Sequence, residues 1–162
     1  MFLPGCAVKP TGSCDPGCSA LENAKLSKLL SARPLGGSIL IRPILFYPDK
    51  RLREPGKDVE VFDAELHRLI DDMAETMYAA PGVGLAAPQI GESKRLFIVD
   101  VASGEDEPSD LRVFINPEII AAEGETVFNE GCLSFPGVRE DIDRAERVTV
   151  RALDQDGKPF EL

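Results

Sequence analysis

The chain has 162 residues, with 18 lysines and arginines against 28 aspartates and glutamates, a formal net charge of −10, and only 6% aromatic residues. That length is one ordinary domain, large enough to bury a core without disulfide or metal staples. The acidic balance argues against a phosphate-binding surface, where lysine and arginine must neutralise the backbone, so no direct nucleic-acid partner is expected. No run approaches the roughly 18 apolar residues of a membrane span, and the start lacks a basic segment followed by an apolar one. A soluble, unexported, cytoplasmic protein without a membrane partner is the expectation.

Charge divides the chain near residue 38: residues 1–38 carry a net +2 and the remainder −12. Residues 1–37 are read as a separate, disordered extension and residues 38–162 as the folded domain. Within the extension, residues 21–30 have helical spacing through Leu21, Leu26, Leu29 and Leu30, a helix too short to stand alone. Cys6, Cys14 and Cys18 lack the second cysteine or histidine pair that a zinc site needs, and with the distant Cys132 they do not form a disulfide framework. From Ser38 an apolar opening segment, Ile39 to Phe46, is broken by Pro43 and closed by Pro48 and Asp49.

Asp63 is a plausible N-cap for a helix reaching about Tyr78, with Leu66, Leu69, Ile70, Met73 and Met77 on one face. After Pro81 the pattern turns to short β-branched runs at residues 95–101, 112–116, 125–128 and 147–153. Asp154-Gln155-Asp156-Gly157 is a turn signature, with a further strand beginning near Lys158. One helix followed by several strands predicts an α+β fold.

Two segments could carry chemistry. In Gly82-Val83-Gly84-Leu85-Ala86-Ala87-Pro88-Gln89, the glycines permit positive φ and close approach of a ligand, and Gln89 offers an amide donor suited to a developing oxyanion. A glycine-rich turn joining helix to strand would look the same. In Glu130-Gly131-Cys132-Leu133-Ser134, a cysteine in a loop after a strand could be a metal ligand or a nucleophile, with Gly131 leaving access on one side. A small buried hydrophobe is the plainer reading of Cys132. The only histidine, His67, sits at the edge of the helix stripe and reads as a surface residue.

Together these two segments resemble, in order and spacing, the first two signature motifs of the peptide deformylases. Their surroundings are similar to that family too: Tyr47-Pro48-Asp49-Lys50-Arg51-Leu52-Arg53, Met73-Ala74-Glu75-Thr76-Met77-Tyr78, Phe114-Ile115-Asn116-Pro117 and Arg151-Ala152-Leu153-Asp154-Gln155-Asp156-Gly157. The resemblance implies antiparallel sheets with an N-terminal helix, and removal of the N-formyl group from the initiator methionine of nascent chains. Formyl-methionyl peptides would be the substrates and the ribosome a candidate partner. It further implies that Cys132 ligates a catalytic divalent metal, usually iron, with zinc or nickel as alternatives. Gln89 and the Leu133 N–H would stabilise the oxyanion. The backbone of Val83, Gly84 and Leu85, with Gly131, would line the peptide, and Val83 would help form the methionine pocket.

The family's third motif, His-Glu-x-x-His, occurs nowhere in the 162 residues. The resemblance implies that it supplies two further metal ligands and the general acid/base from a central helix. The expectation is therefore a C-terminally truncated member whose metal-binding helix is missing, inactive by itself and with apolar strand faces exposed near residues 96–101 and 148–150. A non-catalytic peptide-binding remnant and a fragment completed by another polypeptide are the alternatives.

Overall fold

The computed structural model describes residues 39–102 and 109–162. The expected helix at residues 21–30 and the cysteines Cys6, Cys14 and Cys18 lie outside them.

The single α-helix among the described residues, α1, is Ala64–Ala79. Its start is set by Asp63, whose carboxylate accepts from the N–H groups of Leu66 and Glu65, both at 3.0 Å; these bonds, Leu66 first, hold that carboxyl below its ordinary range. The predicted face is the buried one, with Leu66, Leu69, Ile70, Met73 and Met77 all in the core. The helix ends where the Ala80 N–H turns back to the Thr76 and Met77 carbonyls and the Gly82 N–H to the Met77 carbonyl.

Seven strands follow: β1 Gly84–Ala86, β2 Leu96–Val99, β3 Arg112–Glu123, β4 Thr126–Cys132, β5 Phe135–Arg144, β6 Arg147–Leu153 and β7 Pro159–Glu161. They form an antiparallel sheet in the order β1-β2-β3-β6-β7 and a separate β4-β5 hairpin. The α+β reading holds. One face of the large sheet meets α1, so Leu85, Leu96, Ile98 and Ile115 complete the core.

Some expectations change. Strands β1 and β5 were not predicted, and β3 runs through Pro117 to Glu123. The expected exposure of residues 96–101 is wrong for Leu96 and Ile98, which are 2% and 0% exposed because α1 covers them. It holds at Val101, and at Val148, which is 44% exposed. The opening segment is apolar yet leaves Ile39, Leu40, Ile41 and Phe46 exposed; hydrogen bonds hold it instead. Asp72 accepts from the Leu40 N–H and the Arg42 Nε, both at 2.9 Å, and Thr76 Oγ1 accepts from the Arg42 N–H at 2.8 Å. Two side chains of α1 thus substitute for a strand edge.

Candidate functional site

The end of α1 delivers residues 82–86 to the edge of the large sheet. The Val83 carbonyl accepts from the Asp100 N–H at 2.9 Å, so Val83 faces β2. Main-chain groups alternate sides along a strand; those of Gly84, one residue on, therefore face the open edge. Leu85 is buried, whereas Val83 is 64% exposed. The glycines serve close approach and not positive φ, since Gly91, Gly124, Gly137 and Gly157 are the glycines in that region among the described residues. A Cβ on Gly82 would sit 2.8 Å from Leu133 Cδ1, and one on Gly84 would sit 3.4 Å from the Ile98 carbonyl oxygen.

Gln89 lies on a short 3-10 helix, Ala87–Ile90, closed by Gly91 at φ 84°. Its Oε1 accepts from the Ala86 N–H at 2.9 Å. That contact decides the amide's orientation, because a flipped amide would set two donors against each other. Nε2 then faces the second motif, 3.1 Å from Ser134 Oγ and 3.8 Å from Cys132 Sγ.

Cys132 is the last residue of β4 and not a loop residue, correcting the sequence reading. It pairs with Phe135 across a two-residue turn, Leu133 and Ser134. The thiol is free and exposed rather than a buried hydrophobe. Leu133 packs on the core from the hairpin side, and Gly131 is exposed to solvent, although a Cβ placed there would press on the Arg139 guanidinium at 3.3 Å. Glu130 accepts from Arg144 Nε and Nη2 at 2.8 and 2.7 Å, and this hydrogen-bonded pair lowers the Glu130 carboxyl's pKa. Glu130 is thereby committed to bracing the hairpin.

The two motifs are joined by a third segment that sequence reasoning did not assign to the site. The Leu45 N–H donates to the Gln89 carbonyl at 2.7 Å and the Tyr47 N–H to the Ser134 carbonyl at 3.0 Å. The Tyr47 ring stacks on Phe135 with centroids 5.1 Å apart. Ser134 also belongs to the site; its one sequence signal is a hydroxyl two residues after the cysteine.

The donors do not fit a complete catalytic metal centre. No group of three or more histidine, cysteine, aspartate or glutamate side chains suited to a metal occurs among the described residues, whereas an open catalytic site takes three protein ligands. His67 is remote in role, its Nε2 2.8 Å from the Gln155 carbonyl and 3.5 Å from Asp156. Also among the described residues, no helix is long and apolar enough to cross a membrane.

The family profile described as "Polypeptide deformylase" matches residues 41–162. The chain is 58% identical over 119 residues to a peptide deformylase of Chromobacterium violaceum, covering 74% of this chain and 70% of that protein. It is 54% identical over 123 residues to one of Azotobacter vinelandii, covering 75% and 71%. The crystal structure of a peptide deformylase from Legionella pneumophila superposes with a TM-score of 0.71 at 55% identity, over 75% of this chain and 70% of the other. That of the Thermotoga maritima peptide deformylase gives 0.69 at 40% identity, over 75% and 79%.

Proposed function

This chain belongs to the polypeptide deformylase family, and we propose that residues 38–162 hold the N-formyl-methionyl end of a nascent peptide, in the cytoplasm, without completing the hydrolytic centre. The observation that carries this reading is the Gln89 amide, turned by the Ala86 N–H toward Cys132 and Ser134, beside an open strand edge.

In this reading an extended peptide adds to β1 through the Gly84 main chain, as β-augmentation requires. The exposed Val83 borders the methionine side chain, and Gly131 lines the peptide. The formyl oxygen accepts from Gln89 Nε2, in place of its long contact to Cys132 Sγ, and from the Leu133 N–H, two donors from different segments as an oxyanion site uses. Cys132 is the family's metal ligand, and iron, zinc or nickel would supply the activated water. One thiolate does not hold such an ion with an open position, so these 162 residues by themselves bind and do not turn over.

The test is binding and hydrolysis of an N-formyl-methionyl peptide by the 162-residue chain, with iron or zinc supplied and with chelator. Binding that persists in chelator, with no formate released, is expected. Formate release that disappears in the Cys132→Ala variant would overturn the reading. A polypeptide that binds the chain and brings turnover with it would support the second reading, a fragment completed in trans; the exposed Val127 and Phe128 on β4 favour it, since uncovered apolar surface invites a partner.

A further inference from the structure

We infer that Ser134 is a positioning residue, whose hydroxyl fixes the Gln89 carboxamide in the orientation that reaches a ligand at Cys132. This rests on the reading of Gln89 as the donor to the formyl oxygen, and adds the residue that makes such a donor usable.

A glutamine side chain turns about three bonds, so a donor at its end is poorly aimed unless two points are held. The first point is the Ala86 N–H on Oε1 at 2.9 Å. It determines which end of the amide faces inward, but leaves the amide plane free to swing about that one contact. The second point is Nε2 donating to Ser134 Oγ at 3.1 Å. With both in place the plane is fixed, and the second Nε2 hydrogen is turned to Cys132 Sγ, 3.8 Å from the nitrogen, a long, weak contact that a ligand oxygen at Cys132 would replace.

The acceptor is itself buried and held by its backbone. Ser134 is 3% exposed and forms half of a two-residue hairpin turn. Its carbonyl is held by the Tyr47 N–H at 3.0 Å while the Gln89 carbonyl is held by the Leu45 N–H at 2.7 Å. Two alternate N–H groups of one extended segment thus set the backbones of donor and acceptor, and the side-chain bond closes the loop between the motifs. A nucleophilic role for this hydroxyl has no support. It accepts from an amide, and the chain's one histidine is engaged with Gln155.

The test uses the isotopically labelled 162-residue chain and its Ser134→Ala variant. Nuclear Overhauser contacts from the Gln89 side-chain amide to the Cys132 β protons are expected in the parent and lost on substitution. The preference for an N-formyl-methionyl peptide over the same peptide without the formyl group should fall about fivefold, the worth of one ordinary hydrogen bond. A merely structural serine would change stability and leave that ratio alone. Retained contacts and a ratio within about twofold of the parent would overturn the inference. Should the alanine variant not fold, Ser134→Cys, similar in size and a weak acceptor, is read in the same way. Gln89→Ala separates the two levels. A formyl preference that survives it removes the donor reading itself, whereas a preference lost with Gln89→Ala but kept with Ser134→Ala removes the positioning role alone.

Discussion

Val59 and Asn116 hold each other through a reciprocal pair of hydrogen bonds: the Val59 N–H donates to Asn116 Oδ1 and Asn116 Nδ2 donates to the Val59 carbonyl, each at 2.9 Å. The carboxamide imitates a strand edge across 57 positions of sequence. It does so from a left-handed backbone, φ 51°, which asparagine tolerates better than most residues, at the point where the β3–β6 register shifts.

Asn116→Ala removes both bonds, leaves the main-chain groups of the buried Val59 unpaired and places at positive φ a residue that tolerates it less well than asparagine. A stability loss of about 3 kcal/mol is expected. Asn116→Asp keeps the acceptor but sets a carboxylate oxygen against the Val59 carbonyl, and should cost about as much as the alanine. Urea unfolding monitored by circular dichroism measures both; sub-kilocalorie effects would show that the bridge is not a structural tie.

Tyr78 and Asp100 give a pH dependence with a definite sign. The phenol donates to Asp100 Oδ2 at 2.7 Å. Burial first, and then the Asp100 carboxylate, push its pKa from 10 up to about 12 against the opposing Ser109 bond. Folding favours the protonated phenol, so its contribution is complete below pH 10 and is lost as pH rises toward 12. Burial pushes the Asp100 carboxyl up, but hydrogen bonds from Tyr78, Ser109, Ala102 and Asp110 together hold it below the ordinary range. That contribution is present above the ordinary carboxylate pKa and fades as pH falls through the lowered one. Absorbance titration should find one of the two tyrosines ionising only near 12, and Tyr78→Phe should flatten the alkaline loss of stability.

Gly82→Ala tests how closely the two motifs are coupled. The new methyl would meet Leu133 Cδ1 at 2.8 Å, and a flexible side-chain terminus can give way. Stability should fall by only about 1 kcal/mol, and because a side-chain rotation leaves the Leu133 main chain in place, formyl-peptide affinity should stay within about twofold of the parent. A larger loss of affinity than of stability would show that the clash is relieved by the Leu133 backbone, and that its N–H matters to the bound peptide.

Exposed Cys132 reports directly on occupancy. Iodoacetamide should alkylate it in the folded chain, as located by peptide mass mapping, and a formyl-methionyl peptide should slow the reaction. The unformylated peptide should protect less, and Gln89→Ala should erase the difference. Protection that ignores the formyl group would place the peptide elsewhere.

Features written in short stretches of chain were legible without the fold. Asp63, the apolar spacing of Leu66 to Met77, the β-branched run of β6 and the turn at residues 154–157 each carry their own local preference, and the motifs around Gln89 and Cys132 carried the family. Strands β1 and β5 were not legible. Gly84-Leu85-Ala86 has little β preference and is extended because β2 pairs with it. The charged β5 is held by pairing with β4 and by Arg139 to Asn129 and Arg144 to Glu130. The tertiary structure alone decided that α1 covers Leu96 and Ile98, that residues 45–47 tie the motifs together, and that Ser134 receives the Gln89 amide. The reason is physical: these depend on hydrogen bonds and contacts between residues far apart in the chain, whose partners exist only once the backbone has closed around them.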